Sequence, residues 1–152
     1  MIMFTIRVYG ICIKRIEGTR KILVMDEVIK GRRITKFPGG GLEYGESTVD
    51  CLIREIREEL KVEATDLRHF YTTDLFQQSL FHTAPMQVIS IYYRFKLART
   101  ARLEVLKEAF GFPDPTRQEG CRWMHLDSPV ESLSLPIDRH VLALLQRKFP
   151  GR

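Results

Sequence analysis

The sequence predicts an α/β fold, a mixed sheet held between helices, on three observations. Short runs rich in β-branched and aromatic residues recur along the chain. An amphipathic helical pattern follows a cluster of glycines near residue 40, and a second apolar helical pattern closes the chain. Strands and helices in that order are compatible with a layered arrangement around a common core.

Taken in order, residues 4–13 (FTIRVYGICI) and 20–26 (RKILVMD) flank a turn at Glu17-Gly18 and are expected to form a hairpin. ITKF at 34–37 is a short strand that delivers the chain to Pro38 and the glycines Gly39, Gly40 and Gly41. Glycine is used where backbone must take positive φ or come close to a ligand. Val49, Leu52, Ile53, Ile56 and Leu60 then fall on one helix face, and Ser47 with Asp50 makes a capping-box-like start. Residues 67–76 and 87–98 are strands. The loop between them, with Gln77, Gln78, His82 and Pro85, is placed to form one wall of a substrate pocket, while His69 and His82 read as surface residues. Residues 99–119, with Gly111, Pro113 and Pro115, form a connection containing a short helix at 103–109. A strand at 120–126 and a helix at 138–149, after Pro136, complete the chain.

A length of 152 residues suits one domain, 1–152, with a sizeable core, and 44% hydrophobic with 28% charged residues is a globular composition. No run approaches the roughly 20 apolar residues of a membrane span, and the N-terminal segment lacks a signal-peptide core, so a cytoplasmic protein is expected. Cys12, Cys51 and Cys121 are widely separated, in no metal-like spacing, and read as reduced thiols. The net charge of +5 is uneven: residues 1–45 carry nine basic and four acidic side chains, 46–66 three and seven, and 67–152 twelve and eight. An acidic patch inside a basic protein suits a divalent cation and a polyphosphate. Nucleic acid is not an expected partner, since basic residues interleaved with aromatics are missing.

The acids of the first helix are unusually crowded. Glu55 stands i, i+3 to Glu58 and i, i+4 to Glu59, spacings at which like charges cost a helix roughly 0.2 to 0.5 kcal/mol per pair. Clustered carboxylates are what a hard cation wants, and Mg²⁺ combines one or two of them with waters and substrate phosphates. The competing reading is a solvated acidic face partnered by Arg54, Arg57 and Lys61.

Together Gly40, Glu46, Arg54, Glu55, Ile56, Glu58, Glu59 and Val62 resemble the signature of the Nudix hydrolases of MutT-like type, G-x5-E-x7-R-E-U-x-E-E-x-G-U, with U aliphatic. One position departs: Lys61 stands where the family has glycine. That glycine is expected to end the helix in a left-handed turn, so lysine should cost about 1 kcal/mol without removing a catalytic group.

The resemblance implies an α/β/α Nudix sandwich with a mixed central sheet. It implies hydrolysis of a nucleoside diphosphate linked to another moiety, with Mg²⁺ as cofactor and Mn²⁺ as the alternative. Carried over by position, the Gly39 carbonyl, Glu58, Glu59 and Glu55 ligate metal, Glu55 also orients or deprotonates water, and Arg54 and Glu46 brace loop and helix. Glu119 is similar to the family's extra carboxylate from a late loop, with Asp114 as the alternative. Lys36, just upstream of the loop with Lys30, Arg32 and Arg33, is a candidate phosphate contact from its position, with a surface turn charge as the competing reading, and Asp138 either reads a base edge or caps the last helix. Neither the downstream proline of ADP-ribose hydrolases nor the tyrosine of dinucleoside polyphosphate hydrolases is present, and Gln77, Gln78 and Ser79 occupy that region. A nucleoside triphosphate, cleaved to monophosphate and pyrophosphate, is the favoured substrate. A Nudix-fold ligand-binding regulator and an RNA-end pyrophosphohydrolase are the alternatives, and a homodimer is admitted.

Overall fold

The computed structural model describes residues 3–150. Its order is β1 (Met3–Ile11), β2 (Ile13–Ile16), β3 (Thr19–Ile29), β4 (Arg32–Lys36), β5 (Gly39–Gly41), α1 (Thr48–Leu60), β6 (Ala64–Thr72), β7 (Met86–Leu97), β8 (Glu119–His125), a 3₁₀ turn at Val130–Ser132 and α2 (Pro136–Lys148). One four-stranded sheet runs β5-β1-β7-β6, with β1 parallel to β7 and the other pairs antiparallel. In the second sheet β3 pairs antiparallel with β2, β4 and β8.

Continuous apolar runs make strands that are covered on both faces. Along β3, Ile22 and Val24 join the cluster under α2 that includes Val141, Leu142 and Leu145, while Leu23 and Met25 join the cluster under α1 with Leu52, Ile56 and Leu60. Val8 and Tyr9 of β1 divide in the same way. The mixed sheets therefore sit between two helices as an α/β/α sandwich. Gly10 is needed for closeness, because a Cβ there would lie 2.6 Å from the Phe95 ring.

Three expectations are corrected. The 4–13 segment is two strands, and only β2 forms the hairpin with β3; β1 pairs with β5 and β7 instead. The chain changes sheet at Cys12, whose carbonyl accepts from Leu23 N–H at 3.0 Å. The strand expected at 67–76 starts earlier and stops at Thr72, where Thr73 N–H and Oγ1 both bond the Ser90 carbonyl and turn the chain away. No helix forms at 103–109. Val105 bridges Cys121, and Leu106 packs over Gly120, so a tertiary contact along β8 overrides local helix propensity.

All three cysteines are buried and free, and burial pushes their thiols up to about 11 for Cys12 and Cys121 and about 12 for Cys51. No helix among the described residues is long and apolar enough to cross a membrane.

Candidate active site

The site is assembled where β5 meets α1. Phe37 is buried in the core, Gly39 takes φ 147° and pairs with Tyr9, and a Cβ on Gly39 would come within 2.1 Å of the Val8 carbonyl. Gly40 has a different reason to be glycine, since a Cβ there would lie 2.5 Å from the Glu55 carboxylate. Glycines thus let the loop lie flush against β1 and under the acids of α1.

Ser47 caps α1, accepting from Asp50 N–H at 3.0 Å. Lys61 ends it with φ 58° and ψ 31°, a left-handed residue whose N–H bonds the Arg57 carbonyl. The expected role of the missing signature glycine is therefore carried by lysine. Its Nζ also donates to the Glu58 carbonyl at 2.8 Å, satisfying one of the free carbonyls at the helix end.

Arg54 is the brace. It donates Nε–H to Glu46 Oε2 at 3.0 Å and Nη2–H to Glu46 Oε1 at 2.7 Å, a two-pronged pair, and Nη2 also reaches the Gly41 carbonyl at 3.1 Å. Its Nη1 lies 2.9 Å from Glu55 and 3.4 Å from Glu58. The Arg54 bonds hold Glu46 well below the usual carboxylate range, at about 2. One arginine therefore ties loop, helix and two of the three crowded acids together.

Glu59 faces the other way. It accepts from Gly39 N–H at 3.4 Å, and burial pushes its carboxyl up to about 7, with Glu55 and Glu27 adding to the shift against Lys36. Lys36, only 4% exposed, places Nζ 3.4 Å from Glu27 and 3.5 Å from the Gly39 carbonyl. Burial opposes its charge, and Glu59, Tyr9 and Glu27 more than restore it.

The donor set suits a hard divalent cation in kind: the carboxylates of Glu55, Glu58 and Glu59 and the Gly39 carbonyl, which already faces a positive group in Lys36. Among the described residues no three acidic, histidine or cysteine side chains converge at ligand distance. Glu55 and Glu58 are instead turned toward Arg54, so holding a cation requires side-chain rotation rather than a new backbone.

Two cavities open nearby, one of them bordered by Glu59. One of about 550 Å³ is bounded by Glu59, Lys61, Glu104, Asp114, Arg117 and Glu119 among others, so both candidates for the extra carboxylate line one space with Glu59. Glu119 opens β8 beside Glu27, whereas Asp114 is occupied with Thr116 N–H and Oγ1. The other cavity is largely apolar and runs from Arg7 and Tyr9 past Tyr92 to Pro136 and Asp138, with Gln77, Gln78 and Ser79 on its wall.

Asp138 is not the helix cap. Leu135 is the N-cap residue of α2 and Pro136 its first position, so Asp138 is the third helical residue, within the first turn, and its side chain points into the core. It is wholly buried, accepts from Tyr92 Oη–H at 2.5 Å and Phe37 N–H at 3.2 Å, and burial pushes its carboxyl up to about 6. Sequence reasoning missed Arg7, Tyr9 and Tyr92. An alternating strand pattern shows which residues share a face but not which face meets a cavity.

The NUDIX domain model matches residues 5–145. The fold is similar to a MutT NUDIX hydrolase from Burkholderia pseudomallei at 17% identity and TM-score 0.64, covering 93% of this chain and 97% of that one. It is also similar to a C. elegans Ap4A hydrolase at 14% identity and TM-score 0.65, covering 97% and 99%. A third similar structure is the NUDIX domain of Shewanella oneidensis NrtR complexed with ADP ribose, at 14% identity and TM-score 0.64, covering 99% and 90%. With the signature acids, their arginine brace and the glycine loop in one site, and the domain match spanning nearly the whole chain, the protein belongs to the Nudix family.

Proposed function

We propose that this protein is a divalent-metal-dependent pyrophosphohydrolase that cleaves a nucleoside triphosphate to the monophosphate and pyrophosphate. The observation that carries the reading is the Arg54 brace, which holds Glu46 and Glu55 and reaches Glu58, with the Gly41 carbonyl, while leaving Glu59 on the Gly39 amide. A merely solvated acidic face has no need to anchor its carboxylates to a glycine loop.

When bound, Mg²⁺ or Mn²⁺ supplies charge neutralisation at the phosphate oxygens and orientation for in-line attack. The chain's own residues do the rest. Glu55, directly over Gly40, accepts a proton from the attacking water once it is within hydrogen-bond reach. Glu58 and Glu59 would hold the cation with the Gly39 carbonyl, and Arg54 with Glu46 keeps loop and helix in register. Lys36 keeps positive charge beside the Gly39 carbonyl and takes up phosphate charge as the substrate enters. Glu119, at the start of β8 and in the same cavity as Glu59, supplies the extra carboxylate. Asp138 lies at the far end of the apolar cavity, where reading a base requires it to release the Tyr92 hydroxyl or the Phe37 amide. The 550 Å³ cavity is of the size that holds a small ligand, which leaves room for the departing phosphates.

The experiment is hydrolysis of a panel of nucleoside triphosphates, nucleotide sugars, dinucleoside polyphosphates and capped RNA with Mg²⁺, with products resolved by chromatography. Pyrophosphate and monophosphate from a triphosphate support the reading. Tight binding of a nucleotide with no turnover of any substrate would replace it with a ligand-binding regulator.

A further inference from the structure

Arg7 lies outside the signature, on β1, opposite Gly41 of β5 on one side and Ser90 of β7 on the other. Its Nε–H donates to Tyr9 Oη at 2.7 Å, and its guanidinium carbon sits 5.6 Å from the centre of the Tyr9 ring. Among the described residues no carboxylate comes within ion-pair distance of it. The side chain is partly buried, and both of its terminal nitrogens are without a protein anion among the described residues, so they are free to meet a ligand. Burial alone would weaken its charge, yet Tyr9, Glu55 and Glu59 hold it above the ordinary range.

Its place in the molecule explains why such a group would be kept. The same side chain lines the apolar cavity that ends at Asp138 and feels the acids Glu55 and Glu59 of α1. Lys36 approaches the same Tyr9 ring, at 5.8 Å, but its ammonium is taken up by Glu27 and the Gly39 carbonyl. Arg7 is thus the uncommitted cation between the cavity and the acid cluster. A substrate with its base in the cavity and its reacting phosphate at the acids must pass its first phosphate through that point.

We propose that Arg7 binds the phosphate attached to the nucleoside, using the forked Nη1 and Nη2 donors that match phosphate oxygens. Tyr9 is its positioning residue, fixing the guanidinium by accepting Nε–H. The assignment rests on the pyrophosphohydrolase reading for its orientation of substrate, but not on turnover for its test.

The test is calorimetry in EDTA, comparing the four nucleoside monophosphates with their nucleosides on wild type, Arg7→Gln, Arg7→Lys and Tyr9→Phe. The preferred monophosphate should bind wild type roughly tenfold or more tighter than its nucleoside. Arg7→Gln should abolish that difference while nucleoside affinity stays the same, and Arg7→Lys, which keeps the charge without the fork, should retain part of it. Tyr9→Phe should reduce it. With Mg²⁺ and the cleaved substrate, Arg7→Gln should raise KM by a similar factor with a smaller change in kcat. If Arg7→Gln does not fold, the intermediate affinity of Arg7→Lys decides. A monophosphate preference unchanged in both Arg7 variants, or absent from wild type, overturns the assignment. Failure of wild type to hydrolyse any substrate rejects the enzymatic reading instead and leaves the binding comparison standing.

Discussion

Tyr92 on β7 donates its hydroxyl to Asp138 on α2 across 2.5 Å, joining the central sheet to the last helix inside the core. With Phe37 N–H as its second donor, this carboxylate also ties α2 to the strand end just before the glycine loop. The central sheet, the last helix and the entry to the glycine loop are therefore one hydrogen-bonded unit.

Asp138→Ala should destabilise the protein by roughly 2 to 4 kcal/mol, because it leaves a buried hydroxyl and a buried amide without an acceptor. Asp138→Asn keeps one acceptor and can donate to Tyr92 Oη, so most of that stability should remain. Denaturant titration separates the two variants. If the residue also reads a base, Asp138→Asn shifts the preference among purine nucleotides in the hydrolysis panel; an unchanged order leaves it a structural link.

Lys61→Gly should stabilise the protein by about 1 kcal/mol, since the position is left-handed and a Cβ is strained there. The lost bond from Nζ to the Glu58 carbonyl lies at an exposed helix end and offsets only part of the gain. Equilibrium unfolding measures the sign, and turnover should stay the same. A large fall in turnover would mean that Lys61, which borders the larger cavity, touches substrate.

Glu58→Gln and Glu59→Gln should each lower turnover by orders of magnitude at saturating Mg²⁺, because each removes a metal-binding charge. Neither should lower the melting temperature of the metal-free protein at pH 8. Glutamine at 59 still accepts from Gly39 N–H and carries no buried charge. Full activity in either variant removes that residue from the metal site.

Metal-free protein should lose stability as pH rises through the weakly acidic range. Glu59 is raised in the folded state from 4.5 to about 7, and Asp138 from 3.8 to about 6. Both groups hold their proton more tightly when folded, so their contribution is complete below the unfolded values and is lost as pH rises through the folded ones. The window is about pH 4 to 7. Glu46, lowered to about 2 by Arg54, acts in the opposite sense below pH 4.5. Thermal melts in EDTA should show a falling Tm across the window and a flatter profile in Glu59→Gln. A Tm that rises steadily from pH 5 to 8 would contradict it.

Arg54→Lys should lower Tm and weaken Mn²⁺ binding measured by calorimetry, since lysine cannot span Glu46, Glu55 and the Gly41 carbonyl together. Unchanged metal affinity would show that the brace has no part in presenting the acids.

What the sequence determined by itself is local. Spacing alone placed α1, its Ser47 cap, its crowded acids and the glycine loop, because helix faces and caps depend on residues within a few positions of one another. The left-handed end at Lys61 was legible because the signature expects glycine there. Tertiary structure decided whatever depends on distant partners. Asp138 read first as a helix cap until Tyr92 and Phe37 met it in the core. The 103–109 segment lost its helix to contacts along β8, and β1 left the expected hairpin to pair with β7, some eighty residues away. Arg7 carries no local signal at all. Only the packing of β1 between the acid cluster and the apolar cavity leaves its charge without a partner, because pairing and burial are properties of neighbours in space and not in sequence.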